Sequence, residues 1–177
     1  MNTLLSRVNA LFAFTLSILA GLTLICAIST GFKDYGSLLD IKISTSRHNV
    51  RRLPNFQAGR KECDLGYLNF NLDGDFSKAM DWNTKQLFIY LTAYYKTSDN
   101  VENQVVLWDH ILRRGENPRI SLKNTNIKYY FWDDGQGLLG NPNITLKLSV
   151  NVVPNAGFLP LFTGHTAHTF AFPVEKS

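Results

Sequence analysis

Cysteine is scarce in this chain, with two residues among 177, Cys26 and Cys63. Cys26 lies inside a long apolar run and Cys63 lies beyond it, so a bilayer would separate the two thiols. We therefore expect the polar part of the chain to fold without an internal disulfide, even in a compartment that permits one. Glu62 and Asp64 flank Cys63 and disfavour a thiolate, so this thiol is expected to be partly buried and unreactive.

Motifs that carry chemistry are also lacking. The sequence has no Gly-x-Ser-x-Gly elbow and no glycine-rich loop that could cradle a phosphate. His165 and His168 are three residues apart in a predicted strand or turn, a spacing that points strand side chains to opposite faces and argues against a metal pair. The four histidines are His48, His110, His165 and His168. We expect no catalytic residues, no metal and no cofactor, although a hydrolase with scattered catalytic residues stays open as an alternative.

One acidic segment, Asp133-Asp134-Gly135 followed by Asn141, superficially suggests calcium. It lacks the regular oxygen spacing and the closing Glu of a calcium loop, so we predict a turn.

A strong excess of one charge is absent as well. The net charge is +4, and about +2 once Arg7 and Lys33 beside the apolar run are set aside. Such a balance indicates a solvated surface and no nucleic-acid partner. One local basic cluster surrounds Pro54 and Gly59 and is predicted to be an exposed loop, with contact to lipid headgroups or a partner as the alternative. Its members are Arg47, His48, Arg51, Arg52, Arg60 and Lys61.

What the chain does have is one uncharged run from Val8 to Phe32. At about 1.5 Å per helical residue it spans roughly 37 Å, enough for the hydrocarbon core of a bilayer. A cleaved signal peptide has an apolar region of only about 7–15 residues, whereas this run continues past Gly21. We therefore predict a transmembrane helix over residues 8–32 that stays as an anchor.

The charges around this run predict its orientation. Arg7 and the α-amino group lie before it, and Lys33 is offset by Asp34 after it. By the positive-inside rule, residues 1–7 face the cytosol and residues 33–177 form a lumenal domain. Asn143-Ile144-Thr145 is the one Asn-x-Ser/Thr tripeptide, and it lies in this lumenal part. We predict that Asn143 carries an N-linked glycan.

Alternation of apolar and polar residues predicts the fold of the remaining residues. Leu68, Phe70 and Leu72 alternate with polar residues, which is typical of a strand with one face on a core. Turn signals separate several such runs and no long amphipathic helix appears, so the fold class is mostly β, an antiparallel β-sandwich after one transmembrane helix. Strands are predicted at Leu39–Ile43, Leu68–Leu72, Gln86–Tyr95, Gln104–Leu112, Ile127–Trp132, Leu146–Val150 and Thr166–Phe172, with a helical turn within Phe76–Lys85.

Aromatic residues are frequent and could form a platform for a peptide or a glycan. At strand spacing they more often form core and cross-strand pairs, which is the favoured interpretation. The run Tyr129-Tyr130-Phe131-Trp132 is different, because four consecutive residues of a strand cannot all face inward. One pair must face outward or be covered by something else.

Several stretches together carry a family resemblance. They are MNTLLSR at the start, FAFTLSILAGLT in the apolar run, DWNTKQLFIYLTAYY, VVLWDHIL and KYYFWDDGQGLLGNPNITLKLSVNVVPNAGFLPL. With these stretches the chain closely resembles subunit 3, the glycoprotein subunit, of the eukaryotic signal peptidase complex. Residues 45–61 and the tail after Gly164 carry no part of the resemblance.

The resemblance implies a single-pass type II protein of the endoplasmic reticulum membrane. It implies a non-catalytic accessory subunit of the complex that removes signal peptides from nascent proteins, with the serine nucleophile on a separate catalytic subunit. Its partners would be that catalytic subunit, the other small membrane subunits and the lipid bilayer. The family's N-glycan corresponds to Asn143. The competing hypothesis is a lumenal, membrane-anchored module that binds peptides or glycans.

A partner interface is expected near the end of the strand before Pro154. Pro154 ends main-chain pairing, and an apolar segment without alternation follows the turn. Such a segment is either buried in its own core or covered by a partner, and the sequence leaves both open. The hypothesised interface consists of Pro154, Asn155, Gly157, Phe158 and Phe162.

Overall fold

A single long helix, α1, precedes all the strands. The computed structural model describes residues 3–56 and 59–174, and α1 covers Leu4–Gly31. The Thr3 hydroxyl accepts a hydrogen bond from the Ser6 amide and caps its start. The helix is apolar on all sides, with a mean hydropathy of 2.4 in its best window, and its length and composition suffice to cross a membrane.

Within residues 3–56 and 59–174, eight strands follow, with short 3₁₀ turns at Gly36–Leu38 and Ser77–Ala79. The second turn lies in the segment predicted to form a helical turn. The strands are β1 (Asp40–Asn55), β2 (Arg60–Asp75), β3 (Thr84–Tyr95), β4 (Asn103–Arg113), β5 (Arg119–Asn126), β6 (Phe131–Trp132), β7 (Ile144–Pro154) and β8 (Leu161–Phe170).

The strands form two antiparallel sheets. One has the order β1-β2-β5, with β6 also paired to β2, and the other has the order β4-β3-β7-β8. Phe70 and Leu72 of the first sheet and Leu91 and Leu148 of the second belong to one cluster of buried side chains. The alternation in β2 and β7 therefore has the predicted meaning, and the predicted antiparallel β architecture after one apolar helix is confirmed.

The basic segment is not the loop that the sequence suggested. Arg47 and Arg51 lie in β1, which continues to Asn55, and the connection to β2 includes residues 57–58, outside the described part of the chain. The strand persists because Val50 is buried and pairs with β2 opposite Gly66. Pro54 is tolerated because β1 lies at the edge of its sheet, where a missing N–H need not break a ladder.

Two other strand predictions need correction. Residues 127–130 are not a strand, and only Phe131–Trp132 pair with β2. The strand before them, β5, is polar and was missed. The last strand begins at Leu161, earlier than predicted, because Leu161 and Phe162 pair with Asn151 and Val150. Of the four consecutive aromatics, Phe131 is fully buried in β6, whereas Tyr130 precedes this strand and is 76% exposed.

Candidate functional site

The end of the sandwich nearest α1 is held to the helix by Asn83. Its Nδ2 donates to Thr30 Oγ1 at 2.8 Å and to the Ala156 carbonyl at 2.8 Å. Its Oδ1 accepts from the Ala156 amide at 3.1 Å and from Cys26 Sγ at 3.5 Å. Asn83 is only 1% exposed, so one buried amide joins the last turns of the helix to the β7–β8 connection.

Asp81 lies beside Asn83 and accepts hydrogen bonds from residues on both sides of the junction. It accepts from the Tyr35 hydroxyl at 2.5 Å, from Lys33 Nζ at 3.2 Å and from the Thr84 hydroxyl at 2.8 Å. Burial favours the neutral acid, but these hydrogen bonds outweigh it and lower the pKa of Asp81. Burial and the bond to Asp81 raise the pKa of Tyr35 to about 12.

The β7–β8 connection lies directly against α1. Gly157 has φ +117°, and a Cβ built on it would be 3.4 Å from Ala27 Cβ. Phe158 is 91% exposed and Leu159 is 66% exposed. These two apolar side chains therefore lie beside the helix and outside the core of the sandwich.

The five residues of the hypothesised interface have different roles in this connection. Asn155 donates from its backbone and its side chain to the Asn83 carbonyl, and Pro154 pairs with Thr84. Phe162 packs on the core, with its ring 5.3 Å from that of Tyr35. Phe158 is the member of the set whose large side chain is left exposed.

Asn143 lies at the other end of the sandwich. β3 starts at the junction and ends at Tyr95, and at about 3.3 Å per strand residue this separates its ends by roughly 36 Å. Asn143 is exposed at the rim of a pocket of about 820 Å³ that also includes Tyr95 and Lys147. Asn143 is thus accessible and far from the helix.

The acidic segment near this end is a turn, as predicted. Asp133 accepts from the amides of Gly135 and Gly137 at 3.0 and 2.8 Å and from the Tyr95 hydroxyl at 2.8 Å. The neighbouring buried Asp64 accepts from Arg52 and from the Leu138 and Leu139 amides. These carboxylates accept the hydrogen bonds that hold the loop in place. In the described residues, no three His, Cys, Asp or Glu side chains are grouped to hold a metal.

Two of the four histidines, His48 and His168, lie against the same ring, Phe170, and the other two lie elsewhere. His168 Nε2 accepts from the Thr45 amide at 3.3 Å, and His110 stacks on Trp108. His48 lies against Phe170, and His165 is exposed. Cys63 is buried, and neither it nor Cys26 forms a disulfide. The structure does not bring these side chains together as a nucleophile, a base and an orienting group.

The junction itself was missed by sequence reasoning. Asn83 lies in a short polar stretch without periodicity, and its contact with Thr30 joins residues 53 positions apart. The one signal that covered it was the family-like stretch that begins at Asp81.

The fold and the junction define a membrane-anchored β-sandwich whose anchor is fastened to one end of the domain. The sequence model of the signal peptidase subunit family matches residues 1–175. The chain belongs to this family, and the resemblance noted from its motifs is confirmed.

Similar proteins span nearly the whole chain. It is 51% identical to signal peptidase complex subunit 3 of Gallus gallus over 173 residues, 98% of this chain and 95% of that protein. It is 49% identical to signal peptidase complex subunit 3 of Drosophila melanogaster over 175 residues, 99% and 97% of the two chains. It is also 51% identical to adipocyte-related X-chromosome expressed sequence 1 of Mus musculus, with 98% and 95% covered.

Proposed function

We propose that this protein is a non-catalytic accessory subunit of the signal peptidase complex, which removes signal peptides from nascent proteins. The observation that carries the proposal is family membership along residues 1–175, including both the helix and the sandwich. A subunit that shares a membrane with its partners meets them at a high effective concentration. Its partners are the other subunits of the complex.

The polar side chains of the domain favour a structural role over a catalytic one. Asp64 and Asp133 accept hydrogen bonds from backbone amides, and His168, which shares the Phe170 ring with His48, accepts from the Thr45 amide. We assign the peptidase activity to a separate catalytic subunit with a serine nucleophile, which this protein stabilises and positions. A peptide- or glycan-binding module has less support, because Phe70, Phe131 and Tyr95 are committed to the core.

The proposed contact with the catalytic subunit lies at the membrane-proximal end of the sandwich. Pro154, Asn155 and Gly157 shape the β7–β8 connection, and Phe162 supports it from the core. Phe158 differs from these four because its side chain is exposed beside the anchor, so the proposed contact uses the connection around it and leaves the Phe158 ring at its edge, towards the lipid.

Co-purification tests the assignment. The tagged full chain, extracted from microsomes in a mild detergent, should retain the catalytic subunit and the signal peptidase activity. A tagged single-span membrane protein of unrelated sequence is the control. Recovery of the full chain without any other subunit, under conditions that preserve the activity of the extract, would contradict the proposal.

The proposed location is the endoplasmic reticulum membrane, with the sandwich in the lumen. The exposed position of Asn143, far from the helix, supports it because a glycan there meets no part of the sandwich core. Asn143→Gln should remove the mass of one glycan from the chain made with microsomes, and the domain should still fold because Asn143 lies at an exposed turn. A chain that endoglycosidase leaves unshifted would contradict the orientation.

A further inference from the structure

Four large apolar side chains surround the place where α1 meets the sandwich. Phe32 follows the last residue of α1 and is 92% exposed, and Trp82 is 61% exposed in the turn before β3. Phe158 and Leu159 are exposed in the β7–β8 connection. We call Phe32, Trp82, Phe158 and Leu159 the membrane-proximal rim.

Contacts with the helix fix the height of this rim. Trp82 lies between Asp81, which binds Lys33 and Tyr35, and Asn83, which binds Thr30. Phe158 follows Gly157, whose nearest neighbours belong to Ala27. Each of the two sandwich segments is therefore tied to the last two turns of the helix or to the residues just after it.

The helix also supplies the scale of depth. Ala27 precedes Gly31, the last residue of α1, by four residues, or about 6 Å along the helix, and Lys33 follows two residues later. Segments that lie in a membrane interface bury their apolar side chains about 5–10 Å into the boundary between headgroups and acyl chains. If Lys33 is at headgroup level, the Gly157 turn reaches into that boundary. Trp82 there matches the aromatic belt of membrane proteins.

We propose that the membrane-proximal rim inserts into the interface of a phosphatidylcholine bilayer, so that the sandwich rests on the membrane that its helix crosses. The exposed apolar area is then explained by lipid on the side of the domain that is continuous with the anchor. With Asn83 joining helix and sandwich, this insertion fixes the tilt of the domain on the bilayer.

Fluorescence of the full chain, reconstituted alone in phosphatidylcholine vesicles, tests the insertion. The Trp82 signal is the fluorescence of the wild-type chain minus that of the Trp82→Phe variant. The subtraction cancels the emission of Trp108 and Trp132, which both chains contain. Lipids with a nitroxide near the headgroup should cause a loss of this signal, and iodide present on both sides of the membrane should not. Quenching by iodide without quenching by the labelled lipid would overturn the proposal.

Paired variants test the β7–β8 part of the rim. Phe158→Asp with Leu159→Asp should reduce lipid quenching of Trp82 because carboxylates do not enter the interface, and the milder Phe158→Ser with Leu159→Ser should do so less. Val101→Asp is the matched control, because Val101 is 79% exposed in the β3–β4 connection at the far end, and it should leave quenching unchanged. Circular dichroism should show the wild-type sheet in all of these variants.

A protein occupant gives a different result. If another subunit covers the rim, labelled lipid will not quench Trp82 in the reconstituted complex, and the Asp pair will release the other subunits from the solubilised complex. That outcome overturns insertion while leaving the accessory-subunit proposal standing. Retained quenching with no co-purifying subunits would contradict only the accessory-subunit proposal.

Discussion

Asn83 is the residue on which the junction depends most directly. A side-chain amide has one acceptor and two donor hydrogens, and here they face Thr30, Cys26 and both backbone groups of Ala156. No aspartate or leucine could make the same set, because aspartate lacks the donors and leucine lacks both.

Asn83→Ala should therefore destabilise the protein. Leaving its buried partners without a hydrogen bond should lower the free energy of unfolding by about 1–3 kcal/mol. Chemical denaturation of the full chain in detergent, followed by circular dichroism, measures the loss. Asn100→Ala, at an exposed turn, is the control and should stay within about 0.5 kcal/mol of the wild-type chain. Equal effects at the two positions would show that the junction bonds add no stability.

The hydroxyl of Tyr35 makes the stability of the junction depend on pH in the alkaline range. Its pKa is raised to about 12 by burial and by Asp81, compared with the ordinary value of 10.0. Because the folded state holds the proton more tightly, this stabilisation is complete below pH 10 and is lost as the pH rises through 12. Tyr35→Phe should flatten that part of the stability–pH curve between pH 9 and 12.

A second tyrosine provides the comparison for this titration. The pKa of Tyr95 is also raised, through burial and its bond to Asp133, and it lies at the far end of the sandwich. Tyr95→Phe should remove a separate part of the stability that the protein loses at alkaline pH. A curve for Tyr35→Phe that coincides with the wild-type curve would contradict the role assigned to the Tyr35–Asp81 pair.

Among the elements, those with one buried and one solvated face were predictable. β2 and β7 alternate clearly, β3 is rich in β-branched and aromatic residues, and each pairs along most of its length. β5 was not, because a sequence of mostly polar residues buries only Ile120 fully and its pairing shifts where Asn124 has φ 49°. Local propensity carries little information on such an edge strand, whose position is decided by the neighbour it pairs with.

The site shows the same division. Asn143 could be proposed as a glycan acceptor from a tripeptide, because such a prediction needs only a local sequence. The junction could not, because Asn83, Thr30 and Ala156 are brought together only by the complete fold. The role of Phe162 was undecided for the same reason, since its partner Tyr35 lies at the opposite end of the chain's β region.

Close packing between β2 and the strands around it leads to a prediction for Gly66. A Cβ there would lie 3.0 Å from Phe131 Cδ1 and 3.1 Å from Phe172 Cζ, two buried rings. Gly66→Ala should cost about 1–3 kcal/mol through overpacking. Gly135→Ala is the control, because its Cβ would meet only Asp133 at 3.8 Å. Thermal unfolding compares the two, and a melting temperature for Gly66→Ala at or above that of Gly135→Ala would contradict this packing argument.

At the scale of the whole molecule, helix and sandwich contribute different things. None of the helix residues is buried in the sandwich, while the core lies between the two sheets. A truncated chain that begins at Asp34 should therefore be soluble and folded, with sheet content by circular dichroism like that of the full chain.

The same truncated chain should associate poorly with the complex, because the membrane no longer concentrates it and the Thr30 and Cys26 bonds are gone. Pull-down with equal amounts of full and truncated chain measures this. Equal recovery of the other subunits would show that the helix is dispensable for assembly.

The strand order also determines the order in which the strands can pair while the chain is being synthesised. The hairpins β1–β2 and β3–β4 can close as soon as they leave the ribosome, but β3 must wait for β7 to acquire its second neighbour, about fifty residues later. Until then one edge of β3 is unpaired, which is a feature of intermediates that aggregate or recruit chaperones. Asn143 leaves the ribosome just before β7, so a transferase would meet it on an extended chain, and the sugar would be in place before the last two strands complete the sheet.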